Sequence, residues 1–216
     1  MDLEVRAVEG PGVSVVLLHG VSDSAAGYRP VLAHLEGRHP ARAVSFRGHG
    51  GSARAGSYML ADYCADVVAL IEGTAPAVLA GHSLGSVVAA RLASTRPDLV
   101  AGFFVEDSPL LALRDPERAD APWFDVFRRT QALLADPPAD DAAFLAAVGD
   151  LPVGVPGSDV RMRDVASPRF LQLRASVLRQ VDPCVFDPIL DGTLVPPELP
   201  DALATIGCPT AVIAGT

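Results

Sequence analysis

A Gly-x-Ser-x-Gly turn at residues 81–85 lies between an apolar run over residues 76–80 and a helix-like run over residues 86–93. A strand, this turn and a helix, in that order, make up a nucleophile elbow, in which the serine sits on a sharp and strained bend. The two glycines let the strand and the helix approach each other closely. The order predicts that Ser83 presents its hydroxyl at the edge of a sheet, beside the free N–H groups of a helix N-terminus. An ordinary Gly/Ser turn between a strand and a helix is the alternative.

Composition and charge exclude several classes of function. The chain has 216 residues, half of them hydrophobic and a fifth charged, which is typical of one globular domain. A net charge of −9 argues against nucleic-acid binding, since neutralising phosphates requires a basic face. All seventeen basic residues are arginine, so a Schiff-base lysine, a pyridoxal phosphate anchor and a P-loop lysine are excluded. The Ala/Arg/Val/Pro bias suggests a bacterial source.

Cysteine usage and apolar runs bear on location and cofactors. The three cysteines, Cys64, Cys184 and Cys208, are far apart and form no C-x-x-C motif, as expected of reduced thiols in the cytoplasm. The N-terminus lacks an apolar secretion signal, and no apolar run approaches the roughly 20 residues that span a bilayer. We therefore predict a cytoplasmic protein that binds a small-molecule substrate, without a membrane, metal or other cofactor. The oligomeric state is not predicted.

Apolar strand patterns and amphipathic helix patterns alternate through the first half of the chain, which predicts an α/β fold with a mostly parallel sheet and helices on both faces. From about residue 109 prolines cluster between helical stretches, and a strand pattern returns only at residues 210–214. We interpret residues 1–108 as the first part of the core, residues 109–200 as a helical insertion, and residues 201–216 as the core resuming and being cut short.

Three motifs together resemble the α/β-hydrolase family. They are a Val-Leu-Leu strand followed by His19-Gly20, an Arg-Gly-His-Gly-Gly-Ser loop over residues 47–52, and the elbow itself. With Cys208-Pro209-Thr210 opening a late strand, the resemblance covers essentially the whole chain. The resemblance is to the single-domain, capped type of this family, which includes prolyl-aminopeptidase-like and haloperoxidase-like esterases. In that family the helical insertion forms a cap over the site.

This resemblance implies a serine hydrolase that cleaves a small ester, amide or related acyl substrate through an acyl-enzyme on Ser83. It assigns the two oxyanion donors to the backbone N–H groups of Val21 and Leu84, and each such donor is worth roughly 10²–10³ in rate. A serine at the elbow also separates this chain from dehalogenase-like and epoxide-hydrolase-like members, which use aspartate there.

The catalytic base is the main departure from the family pattern. The family order is serine, acid, histidine, yet no histidine follows His82 in this sequence. His82 is locked inside the elbow and cannot turn onto the serine. His19 and His49 lie in glycine-rich loops and are interpreted as structural, while His34 and His39 are interpreted as solvated residues at a helix end. The base histidine is therefore absent from the chain.

The acid has two candidate positions. Asp107 follows the strand after the elbow, where some family members carry their acid. The commoner family location corresponds to a position beyond Thr216. A third interpretation makes Asp107 a turn or helix-cap residue before Pro109.

Arginines and aromatic residues of the insertion each have two interpretations. The arginines are expected to form a solvated helix face, and contact with an anionic group is the alternative. The aromatic residues are expected to pack in the core, and lining a pocket is the alternative. The residues concerned are Arg161, Arg163, Arg169, Arg174 and Arg179, and Trp123, Phe124 and Phe127.

The sequence stops after Thr216, at the end of a predicted strand, with the last strand, the last helix and the histidine of the family pattern missing. We therefore expect the sequence to be a truncated form of a longer hydrolase. A short, non-catalytic protein that binds a ligand under its cap is the alternative.

Intact-mass measurement on the protein isolated from its natural host tests this expectation. The 216 residues correspond to 22.4 kDa. We expect a heavier product in which a histidine follows Thr216. A product of 22.4 kDa would contradict the expectation and favour the ligand-binding interpretation.

Overall fold

Six strands form the sheet of the computed structural model, which describes residues 1–109, 122–154 and 159–213. The strands are β1 (Val5–Val8), β2 (Val15–Leu18), β3 (Ala41–Val44), β4 (Ala77–His82), β5 (Val100–Glu106) and β6 (Thr210–Ile213). Their order across the sheet is β1-β3-β2-β4-β5-β6. All neighbouring pairs are parallel except β1 and β3. The predicted α/β fold with a mostly parallel sheet is confirmed.

Nine α-helices surround this sheet within the described residues. Three lie between the first five strands, and the other six lie between β5 and β6. They are α1 (Arg29–Leu35), α2 (Leu60–Ile71), α3 (Leu84–Thr95), α4 (Pro122–Ala135), α5 (Asp141–Gly149), α6 (Met162–Val165), α7 (Pro168–Leu178), α8 (Asp187–Leu190) and α9 (Leu199–Ala202). None of them is both long and apolar enough to cross a membrane.

Helices cover both faces of the sheet because alternate strand residues point to opposite sides. In β2, Leu17 belongs to the apolar cluster that includes Leu32 of α1. Its neighbours Val16 and Leu18 belong to the larger cluster on the other face, which contains α2 and α3. Helix α3 is almost wholly buried, which its small residues allow, since Ala89 and its neighbours pack directly against the sheet.

The strand register determines where the site lies. In parallel pairing, Leu18 of β2 lies beside Gly81 of β4, and His82 of β4 lies beside Glu106 of β5. Parallel strands end at a common edge, so the loops that follow β2, β4 and β5 meet there. Sequence motifs that are far apart along the chain are thus brought together at this edge.

The polypeptide between β5 and β6 is mainly helical in its described part, as the insertion was predicted to be. Within this insertion the sequence predicts helical stretches over residues 123–134 and 170–181, and these correspond to α4 and α7. Helix α5 was not singled out in the sequence. Its signal was Asp140, whose side chain caps the helix by accepting from the N–H of Ala143 at 2.8 Å. The part of the insertion at residues 110–121 and the predicted strand end at Ala214 lie outside the described residues.

A buried ion pair holds the glycine-rich loop after β3. Nε and Nη2 of Arg47 donate to the two carboxylate oxygens of Asp66 at 2.7 and 2.8 Å, so the pair is bidentate. The hydrogen bonds that Arg47 donates to Asp66 raise the pKa of Arg47, which keeps it cationic. Asp182 of the insertion then joins this loop to the cap, because its N–H donates to the carbonyl of Gly48 at 2.8 Å.

Candidate active site

Ser83 occupies a strained bend between β4 and α3. Its φ is 48° and its ψ is −114°, a left-handed backbone conformation that non-glycine residues rarely adopt. The bend is possible because glycines stand two residues before and two residues after Ser83, at positions 81 and 85. A β-carbon on Gly81 would overlap the carbonyl of Gly85, and one on Gly85 would overlap the carbonyl of Leu18. The geometry is that of a nucleophile elbow.

Two backbone N–H groups lie beside this serine. Val21 and Leu84 line the same cavity as Ser83. Within the described residues, neither of their N–H groups donates to an acceptor of the chain. The turn that carries Val21 is joined to the elbow by a hydrogen bond from the N–H of Gly85 to the carbonyl of His19, at 3.1 Å. Val21 and Leu84, the two residues predicted to supply the oxyanion donors, therefore line one cavity, and the segments that carry them are joined by this hydrogen bond.

Asp107 is the second strained residue of the site. In the described chain, Ser83 and Asp107 are the two non-glycine residues with positive φ, and the φ of Asp107 is 46°. The N–H of Ser83 donates to the carbonyl of Glu106 at 3.1 Å, which places Asp107 next to the elbow at the end of β5. Asp107 is exposed and lines the cavity. Strain of this kind is concentrated at functional sites.

His19 is engaged through both ring nitrogens. Its Nε2 accepts from the N–H of Phe46 at 2.9 Å, so Nδ1 carries the proton and donates to the carbonyl of Gly20 at 2.7 Å. Burial and the nearby rings of His49 and His82 lower the pKa of His19 well below its usual value, so the ring is neutral. Its position matches the predicted structural role.

His49 lies between two loops, with a backbone carbonyl near each of its ring nitrogens. Its Nε2 lies 2.6 Å from the carbonyl oxygen of Val21, and its Nδ1 lies 2.9 Å from that of Arg47. Burial lowers the pKa of His49. His34 and His39 are exposed, as predicted. All five histidines lie in the described residues, and none is among the described residues that line the cavity.

The cavity has a volume of about 320 Å³ and two unlike walls. The core supplies the polar groups and the insertion supplies apolar side chains. The core residues are Val21, Ser83, Leu84, Asp107 and Ser108, and the insertion residues are Pro109, Trp123, Phe127, Ile189 and Leu194. Such a mixture is typical of small-molecule sites.

Part of this lining was missed by the sequence analysis. Ser108 had a signal, since it follows Asp107 at a strand end, and its hydroxyl lies 2.7 Å from that of Ser86. Ile189 and Leu194 had none, because they come from a distant part of the insertion. Trp123 lines the cavity, so the alternative interpretation holds for it, although it also packs against the core.

The arginines of the insertion have varied surroundings. Arg163 pairs with Asp150, and the guanidinium of Arg179 lies 4.1 Å from the centre of the Phe144 ring. Arg174 departs from the predicted solvated face, because its guanidinium donates to the backbone carbonyl of Ser22 in the core. No arginine is among the described residues that line the cavity.

No group of three or more His, Cys, Asp and Glu side chains is arranged to hold a metal ion within residues 1–109, 122–154 and 159–213. The three cysteines, which all lie in these ranges, are free thiols: Cys64 is buried, Cys208 is partly exposed and Cys184 is exposed.

Comparison with known proteins agrees with this geometry. The model of the alpha/beta hydrolase family matches residues 15–216. The chain belongs to this α/β-hydrolase family. It is 31% identical over 193 residues to the 2-(acetamidomethylene)succinate hydrolase of Mesorhizobium japonicum, covering 83% of this chain and 67% of that protein. It is 34% identical over 116 residues to Lipase LipV of Mycobacterium tuberculosis, covering 52% of this chain and 44% of that protein.

Solved structures of other family members share the fold. The N-formylmaleamic acid deformylase of Pseudomonas putida S16 superposes with a TM-score of 0.71 at 17% identity, covering 99% of this chain and 77% of that one. At this level of identity the likeness concerns the fold alone.

Substituting Gly85 with alanine tests the close approach of α3 to β2. We expect Gly85→Ala to unfold the protein or to lower its melting temperature strongly, since the added carbon meets the backbone of Leu18 rather than a movable side chain. Gly56→Ala is the matched control, because a β-carbon there meets nothing within 4 Å. Thermal melts followed by circular dichroism provide the measurement. Equal melting temperatures for the two variants would contradict this account of the elbow.

Proposed function

We propose that this protein is a serine hydrolase that cleaves a small ester, amide or related acyl substrate, with Ser83 as the nucleophile. One observation carries the proposal. Ser83 is held at positive φ on the wall of a cavity, together with the N–H groups of Val21 and Leu84, which lack acceptors in the described chain. A nucleophile beside two such donors is suited to acyl transfer.

The proposed reaction has two halves. Ser83 Oγ bonds to the substrate carbonyl carbon while a base takes its proton, and the C=O electron pair moves to the oxygen. The N–H groups of Val21 and Leu84 stabilise that oxyanion, aided by the N-terminal dipole of α3. Collapse re-forms the C=O bond and breaks the bond to the leaving group, which takes the proton from the base. Water then hydrolyses the acyl-enzyme by the same steps and frees Ser83.

Asp107 is the proposed acid that orients the base. Its positive φ and its place beside Ser83 on the cavity wall support this role over that of a simple turn residue. The base itself is not among the described cavity residues, since no histidine lines the cavity. The experiments below therefore use the product of the complete gene.

The cavity also narrows the proposed substrate. Apolar side chains of the insertion, including Trp123 and Phe127, face the nucleophile, and no arginine lies among the described lining residues. An anionic acyl group would therefore lie near the carboxylate of Asp107, and none of the described lining residues would supply a positive charge to balance it. An uncharged, short acyl chain suits both the polarity and the volume of about 320 Å³.

A ligand-binding protein without turnover is the second candidate function. The observation that favours it is the lack of a histidine among the described cavity residues, because a serine hydroxyl without a base is a poor nucleophile. In this case the cavity would hold a small molecule beneath the insertion.

Ser83→Ala distinguishes the two candidates. We expect the unaltered protein to hydrolyse 4-nitrophenyl butyrate and to react with a tagged fluorophosphonate at Ser83, located by peptide mass spectrometry. Ser83→Ala removes the attacking oxygen and should lose both activities. Ser94→Ala, at the other end of α3, is the matched control and should retain both. Unchanged turnover in Ser83→Ala would refute the proposal, and a folded but unlabelled natural protein would favour ligand binding.

Asp107→Asn tests the proposed acid. Loss of the carboxylate should lower kcat by roughly 10³–10⁴ with little change in KM, as expected when a base is left poorly oriented. Glu106→Gln is the control, because Glu106 contacts the elbow through its backbone carbonyl and its side chain is exposed. A loss of less than tenfold in Asp107→Asn would place the acid at another residue.

A further inference from the structure

The turn at residues 20–23 carries one of the two proposed oxyanion donors, the N–H of Val21. The carbonyl groups of Gly20, Val21 and Ser22 in this turn each lie within hydrogen-bond distance of another group. The carbonyl of Gly20 accepts from Nδ1 of His19 at 2.7 Å and from the N–H that closes the turn at 3.0 Å. The carbonyl oxygen of Val21 lies 2.6 Å from Nε2 of His49. These two restraints come from the core itself.

The third restraint comes from the insertion. Arg174, on α7, reaches the core and donates through Nη1 to the carbonyl of Ser22. Its Nη2 donates to the hydroxyl of the same serine at 2.6 Å. One guanidinium therefore holds both the backbone and the side chain of the residue that follows Val21.

This contact is charge-assisted and partly buried. Burial lowers the pKa of Arg174, and the nearby carboxylate of Asp23 acts in the opposite direction. An arginine remains cationic under these conditions because its ordinary pKa is far above neutrality. Hydrogen bonds from a cation are roughly twice as strong as neutral ones, and their strength grows as water is excluded.

We propose that Arg174 is a positioning residue, through which the cap helix α7 holds turn 20–23 so that the N–H of Val21 points at the oxyanion. This inference rests on the proposed function. It assigns the insertion a part in the chemistry besides lining the cavity.

The physical reason for this role is the way in which the direction of the Val21 N–H is set. The N–H of Val21 has no acceptor within the described chain, so no hydrogen bond of its own sets its direction. Its direction follows from the planar peptide that it shares with the Gly20 carbonyl. That carbonyl accepts from the N–H of Asp23 at 3.0 Å, and this N–H belongs to the same peptide as the Ser22 carbonyl that Arg174 holds. Releasing Ser22 frees the Ser22–Asp23 peptide and loosens its bond to Gly20, and a small rotation of the Gly20–Val21 peptide then lengthens and bends the bond to the oxyanion, whose strength depends on both.

Arg174→Gln is the test, in the product of the complete gene. We expect kcat on 4-nitrophenyl butyrate to fall about 10- to 100-fold while KM changes less than twofold, because misplacing a donor weakens transition-state binding rather than substrate binding. The rate of fluorophosphonate labelling at Ser83 should fall by a similar factor, while the final extent of labelling stays complete. Rates are divided by the number of labelled sites, so that a smaller folded fraction does not count as a lower kcat.

Two further variants separate positioning from general docking of the cap. Arg174→Lys keeps a charged donor for the Ser22 carbonyl and should restore kcat to within about fivefold of the natural protein. Arg169→Gln removes an exposed arginine from the same helix and should leave kcat unchanged. If Arg174→Gln does not fold, the same contact is tested from the side of Ser22. Ser22→Ala removes the hydroxyl that accepts from Nη2 of Arg174 and should lower kcat, and Arg174→Lys should lower it by no more than about fivefold.

The outcomes distinguish this inference from the proposed function. Normal kcat per labelled site in Arg174→Gln, with an inactive Ser83→Ala, would overturn the inference and leave the hydrolase proposal intact. A rise in KM with unchanged kcat would also overturn it, since that result indicates a role in substrate binding. A natural protein with neither turnover nor labelling would overturn both.

Discussion

The close approach of three backbone segments at the elbow is the constraint on which the rest of the site depends. Strand β2 passes so near α3 that position 85 has no room for a β-carbon, and α3 in turn leaves none at position 81 of β4. The chain turns within this space by placing Ser83 at a φ of 48°. Because the core around α3 is fully packed, this strain is not released by local movement, and the hydroxyl stays at the sheet edge.

Buried polar groups extend that rigidity to the loops around the elbow. Neutral His19 donates to the carbonyl of Gly20 and accepts from the N–H of Phe46, so both its ring nitrogens have partners inside the protein. The buried ring of His49 lies between the carbonyls of Arg47 and Val21. The bidentate pair of Arg47 with Asp66 fixes the loop that carries His49. Arg174 adds the insertion to this network through Ser22. Titratable groups that resemble catalytic residues in the sequence therefore serve here as supports for the site.

The sequence was sufficient for the fold and for the residues of the elbow. Apolar patterns predicted every strand of the sheet, and the apolar spacing of Leu60, Tyr63, Val67, Leu70 and Ile71 predicted α2. Four of these five residues are buried, and Leu70 is partly buried. The sequence was insufficient for α5, which was not singled out among the helical stretches of the insertion. It was also insufficient for Arg174, because an arginine on a helix is usually solvated and nothing in its neighbours indicates a contact with residue 22.

What the sequence determined by itself is local chemistry. A strand, a turn of small residues and a helix specify the elbow at Ser83, since the same few residues both allow the bend and occupy it. The tertiary structure alone decided which distant groups share the cavity. Asp107 meets Ser83 through the register of β5 with β4, and Leu194 and Phe127 close the apolar wall through packing of the insertion. Such contacts depend on how surfaces fit in space, and the order of residues along the chain carries no direct record of that fit.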